Sequence, residues 1–278
     1  MSVGLEMSAP LPLRVGIVGT GVIGSVLIKA LVEGLEGLVL QAVSGRDLVA
    51  ARARALSLGA DVPACALDEL VDQVDVVVDC AVAAAHLPIA TAALSAGRIF
   101  MTMNSGALLA HEHLFDLAEE RNARIIVPSG GVAGFDGLRA AALGTLKIVE
   151  LVSRKPPESL IGAPHVVAQG FDLSNLEEPL LVFAGNAADA ARLFPANANV
   201  AASLSLAGFG PIRTRVQIWA DPGVTRISQE IHVVSAEAEL RLAIFSNPMP
   251  DNPRTGSLTV LSAIEALRSI VSSCRVGS

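Results

Sequence analysis

The run Arg14-Val-Gly-Ile-Val-Gly19-Thr-Gly21-Val-Ile-Gly24 carries a short apolar stretch straight into G-x-G-x-x-G, and a helical stretch from Ser25 to Glu33 follows. In that order Gly19 permits a tight turn, Gly21 lets the backbone approach a pyrophosphate, and Gly24 lets the helix lie close on the strand. Val22 and Ile23, between the glycines of this loop, and Ala81, just past the strand ending at Cys80, are further expected cofactor contacts. A second strand, Val39–Val43, ends about twenty residues beyond the last glycine, where an NAD-binding chain usually places Asp or Glu for the ribose hydroxyls. Here the chain reads Ser44-Gly45-Arg46. A hydroxyl and a guanidinium suit a 2′-phosphate that a carboxylate would repel, so NADP is expected to be accepted as well as NAD. The alternative leaves Arg46 in solvent and has Asp47 reach the ribose.

The elements around these residues alternate. After Val39–Val43 the pattern predicts a helix over Leu48–Leu58, a short Pro63–Leu67 segment, a strand Val74–Cys80, and a helix from Leu87 to Ala96. A strand Arg98–Met103, a helix Ala110–Arg121 and a strand Ala123–Val127 follow. Apolar runs without period-2 alternation, separated by helices, indicate a parallel sheet covered on both faces. After Pro128-Ser-Gly-Gly-Val-Ala-Gly134 the strands become longer and adjacent: Lys147–Ser153, Leu180–Ala184, Thr214–Trp219, Thr225–Ser235 and Ala238–Ser246. Helices are expected near Asp136–Leu143, Ala187–Leu193 and Asn199–Leu206. The fold class is therefore α/β: a Rossmann doubly wound parallel sheet over residues 1–129, plus an α+β substrate and dimerisation domain over 130–252. The amphipathic helix Ser257–Ser272, within 253–278, is expected to return and complete the first domain.

With 278 residues, a formal net charge of −7 and no basic run, the chain is not built for nucleic acid. The longest apolar stretch, Val76–Gly97, is interrupted by Asp79, His86 and Pro88 and parses as strand, loop and helix, not as a membrane span. Cys65, Cys80 and Cys274 lack metal-site spacing and are expected to be free buried thiols in a reducing compartment, so the protein is placed in the cytoplasm. His111 and His113 stand two apart on a predicted helix and do not share a face, so no metal site is expected. His86 either lines the cofactor crevice or simply begins a helix.

Motifs along nearly the whole chain resemble the L-aspartate dehydrogenase family: the glycine loop, Ser105-Gly-Ala-Leu108, Gly130-Gly-Val-Ala-Gly-Phe-Asp136, Ser153-Arg-Lys-Pro156, Phe194-Pro-Ala-Asn197-Ala-Asn199-Val-Ala-Ala202, Ala220-Asp-Pro222 and Asn252-Pro-Arg-Thr255. The resemblance implies NAD(P)-linked oxidation of L-aspartate to iminosuccinate, or the reverse reductive amination. By the same matching, Gly131 would meet the cofactor through its backbone, and Asn197 or Asn199 would hold the nicotinamide amide or the substrate. The likeness also suggests a homodimer acting on a small amino, imino or keto acid.

The resemblance places the family's catalytic histidine at Gln229. An amide can hydrogen-bond and orient but cannot take a proton near neutral pH, and such general-base help is typically worth about 10²–10⁴ in rate. His232 is the nearest substitute, yet odd spacing along a strand points the two side chains to opposite faces. Lys155 could bind a substrate carboxylate, or be a solvated lysine in a Pro-rich loop. Gln229, His232 and Lys155 are thus the candidate catalytic residues. Phe135 and Phe209 would shape the pocket if the substrate is not a dicarboxylate, and a dinucleotide-binding protein without catalysis is the remaining alternative.

Overall fold

The computed structural model describes residues 11–195, 198–249 and 252–277. In its first half run β1 (Leu13–Val18), α1 (Val22–Gly34), β2 (Leu38–Ser44), α2 (Leu48–Ser57), α3 (Leu67–Gln73), β3 (Val76–Asp79), α4 (His86–Ser95), β4 (Ile99–Thr102), α5 (Ser105–Leu109), α6 (His113–Glu120) and β5 (Arg124–Ile126). The strands pair in the order β2-β1-β3-β4-β5, all parallel. Val76, Val77 and Val78 are all inaccessible to solvent, which is why this strand reads as a continuous apolar run. One face packs on α1, the other on α3, α4 and α6.

The second half comprises α7 (Phe135–Ala142), β6 (Leu146–Lys155), α8 (Pro164–Gln169), β7 (Leu180–Asn186), α9 (Ala187–Leu193), α10 (Asn199–Ala207), β8 (Arg215–Ala220), β9 (Ile227–Ser235), β10 (Glu239–Ser246), β11 (Pro248–Met249), β12 (Asn252–Gly256) and α11 (Ser257–Val271). Its larger sheet runs β10-β9-β6-β8-β7, with β6 and β8 parallel and every other pair antiparallel. Period-2 alternation holds here: Val149, Leu151, Ser153 and Lys155 of β6 and Gln229, Ile231 and Val233 of β9 are buried, while the residues between them are mostly half-exposed or exposed. Ala263 and Leu267 of α11 pack with Leu27 and Ile28 of α1, so the last helix returns to the first sheet.

Three short helices, α3, α5 and α8, were not expected. Of the Pro63–Leu67 segment only Ala64 bridges to β2, and the chain continues into α3, seven residues long. The helix expected over Ala110–Arg121 begins three residues later, as α6, and the unexpected α5 ends just before that span, so His111 lies between helices; its ring meets that of His113 edge-on at 5.8 Å. The cysteines are free, but not all buried: Cys65 is, Cys80 is half-buried, and Cys274, beyond the end of α11 with little around it, is exposed.

Candidate active site

The three glycines of the first loop serve different ends. Gly19 adopts φ +94°, and a Cβ there would lie 2.7 Å from the backbone of Cys80 and Ala81; at Gly24 it would lie 2.0 Å from the Gly19 carbonyl oxygen. Packing alone forbids side chains at both. At Gly21 a Cβ would meet nothing within 4 Å, and this residue caps the 13-residue α1 with no side-chain hydrogen bond. The space left there, in front of uncapped helix N–H groups, fits a pyrophosphate. The Gly19 N–H donates to the Ser44 carbonyl at 2.8 Å, which fixes the turn against the end of β2. Beyond it Arg46 is exposed, whereas Asp47 accepts from the Ala50 N–H at 3.0 Å and caps α2.

At the ends of β3 and β4 lies a buried polar network. The Asp79 carboxylate, inaccessible to solvent, accepts from the Ala81 N–H (3.1 Å), Thr102 Oγ1 (3.0 Å) and Asn104 Nδ2 (3.1 Å), and pairs with His86 Nδ1 at 2.7 Å. Asn104 Nδ2 also donates to the Ala81 carbonyl at 3.0 Å. His86 Nε2 is buried with no hydrogen-bond partner among the described residues. His86 therefore braces the two strand ends from below instead of lining the crevice.

Above this network a cavity of about 160 Å³ opens between the two sheets. Ile23 of α1, Thr102 and Met103 after β4, Gly130 and Gly131 of the linker, Lys155 and Gln229 meet there, with α10 and α11 closing the sides. Lys155 is the only titratable side chain among the described residues of this lining. It is 5% exposed, and burial lowers its pKa from 10.5 to about 8. Gln229 is 6% exposed with its Oε1 unpartnered among the described residues; the buried Ser153 Oγ, directly across the β6–β9 pair, is likewise unpartnered. Buried polar atoms without partners are costly to a fold and commonly await a ligand.

His232 does not join them. Three residues from Gln229 on an unkinked strand, it points to the opposite face and pairs with Glu239 at 2.9 Å. Asn199 lines the cavity, but its amide is engaged: Nδ2 donates to the Met103 carbonyl (3.2 Å) and Oδ1 accepts from the Gly106 N–H (3.1 Å). That side chain ties α10 to the first sheet and is not held open for a nicotinamide. Asn197 lies outside the described residues. Phe135 and Phe209 pack against the core of the second sheet, away from the cavity. Sequence reasoning missed Ser153 as an individual residue, although it begins the Ser153-Arg-Lys-Pro156 motif. No group of three or more His, Cys, Asp or Glu able to hold a metal occurs among the described residues, and no described helix is long and apolar enough to cross a membrane.

A parallel sheet with a glycine turn at its first helix, joined to a mixed sheet whose buried face supplies a lysine and an amide, defines a two-domain dinucleotide-binding oxidoreductase. Residues 19–128 match the family model described as homoserine dehydrogenase, NAD binding domain, and residues 136–270 match aspartate dehydrogenase, C-terminal. L-aspartate dehydrogenase 3 of Bordetella bronchiseptica is 43% identical over 98% of this chain and 100% of its own length. L-aspartate dehydrogenase of Methanosarcina barkeri is 40% identical over 96% of this chain and all of its own. The chain belongs to the aspartate dehydrogenase family. The crystal structure of aspartate dehydrogenase from Thermotoga maritima shares the fold, with a TM-score of 0.71 at 24% identity over 95% of this chain and 99% of that one. Scyllo-inositol dehydrogenase of Lactobacillus casei, solved with NAD(H) and scyllo-inositol, has a TM-score of 0.53 at 16% identity, covering 96% and 91%.

Proposed function

We propose that the protein is an NAD(P)-dependent dehydrogenase of amino acids, with L-aspartate and its imine, iminosuccinate, as the substrate pair. The observation that carries this reading is the cavity that brings Lys155 and Gln229, whose Oε1 is unpartnered among the described residues, together with Ile23 of α1 and Gly131 of the linker. When bound, a nicotinamide cofactor would supply or accept the hydride at the substrate Cα. Gly19, Gly21, Val22, Ile23 and Gly24 would hold the pyrophosphate, and Ala81 and the Gly131 backbone would contact the rest of the cofactor. Ser44 and Arg46 address the adenosine ribose; with Asp47 engaged as a helix cap, a 2′-phosphate is favoured there and NADP is the preferred cofactor.

The substrate is bound and turned by the second sheet. The Gln229 Oε1 accepts from the substrate nitrogen and fixes the face presented to the hydride, a contribution of orientation and not of proton transfer. Reduction of a ready-made iminium needs that orientation more than a base, so the reductive direction is the stronger one. Residues 1–129 with 253–278 act as the cofactor unit and 130–252 as the substrate unit. The outer face of the larger sheet, with Trp219 and Val152 half-exposed and Phe245 53% exposed, supports a homodimer, and the setting is cytoplasmic. The test is Gln229→His, which puts a group that titrates near neutral pH at the same place and is expected to raise aspartate oxidation at neutral pH while changing reduction less. No gain in oxidation would refute the role given to Gln229.

A further inference from the structure

Resting on that reading of the reaction, we propose that the Lys155 amine is the proton carrier of this site, taking the proton that the substrate ammonium gives up before oxidation and returning it after reduction. The argument is first one of elimination. Around the cavity α1 contributes Ile23, the β4–α5 turn Thr102, Met103 and Ser105, α10 Asn199, Val200 and Ser203, and β10 and α11 Ser246 and Thr259. None of these titrates near neutral pH. The charged residues adjacent in sequence to Lys155 and to its cross-strand partner Ala220, Arg154 and Asp221, pair with each other at 3.2 Å. Strand alternation turns Arg154 to the other face.

The second part of the argument is placement. Lys155 lies on the same face of β6 as Ser153, which stands opposite Gln229 in register, so amine, hydroxyl and amide form one polar row at the end of an otherwise apolar sheet face. The unpartnered Gln229 Oε1 and Ser153 Oγ are acceptors for a substrate N–H donor. A ligand nitrogen bound to that row lies beside the one amine that can change charge.

In oxidation a proton passes from the substrate –NH3+ to neutral Lys155 Nζ, giving –NH2 and an ammonium on the lysine. The Cα–H bond then breaks with its electron pair as hydride leaves to the oxidised nicotinamide, the C=N bond forms, and the iminium departs. Reduction runs the same steps backwards, the lysine ammonium protonating the new amine. Burial lowers the Lys155 pKa to about 8, so at neutral pH the lysine is mostly loaded for reduction, and oxidation requires alkaline conditions.

The chain has three lysines, Lys29, Lys147 and Lys155, so amine labelling read by mass spectrometry at each one is simple to interpret. Labelling of Lys155 is expected to be half-maximal near pH 8. In wild-type enzyme kcat for aspartate oxidation should climb to a plateau above pH 8. Lys155→Arg, which keeps the charge but does not titrate, should abolish that limb and lower kcat about 10²–10⁴-fold with KM changed only a few-fold. Gln229→His in the same background should restore oxidation with a limb near the ordinary histidine value of about 6.5. An arginine variant that keeps kcat and the limb, or a Lys155 whose labelling is half-maximal only near the ordinary lysine value of about 10.4, would overturn the proposal and leave the lysine as a carboxylate anchor. Wild-type silence with both aspartate and oxaloacetate plus ammonia, while Lys155 still labels near pH 8, would instead refute the reaction itself and the lysine's role with it.

Discussion

Lys155→Met should make the folded protein more stable at neutral pH while disabling it. The lysine's folded-state pKa of about 8 lies below its ordinary 10.5, because the buried cavity wall disfavours the ammonium. Between those values the unfolded chain holds a proton that the folded chain does not. Stability therefore rises with pH across that window, and below it the fold bears the full cost of burying the charge. At about 1.4 kcal/mol for each tenfold change in proton affinity, that cost is about 3 kcal/mol. Methionine has similar length and no charge, so the variant should gain up to about that much at pH 7, less what the amine's own polar interaction contributes, moving a urea midpoint upward by up to about 1 M. The gain should shrink above pH 8 and vanish near 10.5. Urea titrations of wild type and variant at pH 7, 9 and 10 measure it. A methionine variant that is less stable, or a gain independent of pH, would refute the claim that this amine is buried against its own charge.

Asp79→Ala should destabilise the first sheet by about 3–5 kcal/mol, since it strips a buried acceptor from His86 Nδ1 and Thr102 Oγ1, and denaturant unfolding measures this. Asp79→Asn, which keeps one acceptor, should cost less. Arg46→Ala should raise KM for NADPH about tenfold or more and leave NADH nearly unchanged, in keeping with loss of one charge-assisted hydrogen bond. Equal effects on both cofactors in steady-state kinetics would leave Arg46 in solvent.

The parts of this molecule legible in the sequence are those set by local pattern. The glycine spacing gives the first turn because φ at Gly19 and the close approach at Gly24 are demanded within a few residues of each other. Period-2 alternation separated Gln229 from His232 before any coordinates did, because a strand has two faces wherever it lies. What stayed hidden depends on partners far along the chain. Asn199 reads as an open amide until Met103 and Gly106, more than ninety residues earlier, are brought beside it. His86 reads as a crevice residue until Asp79 and Thr102 close around it. α3 is too short for a helical period to show. Lys155, on a Pro-flanked stretch that sequence alone cannot distinguish from a solvated loop, is buried because β6 runs on through Lys155 to pair with Ala220.

The central claim is the chemistry of the cavity, and the most direct test is NADPH and NADH consumption by purified protein with oxaloacetate plus ammonia, run beside L-aspartate oxidation. The account predicts appreciable reductive turnover at neutral pH, faster with NADPH, and aspartate oxidation that is weak there and strengthens above pH 8. Cofactor that binds without turnover in either direction would contradict it.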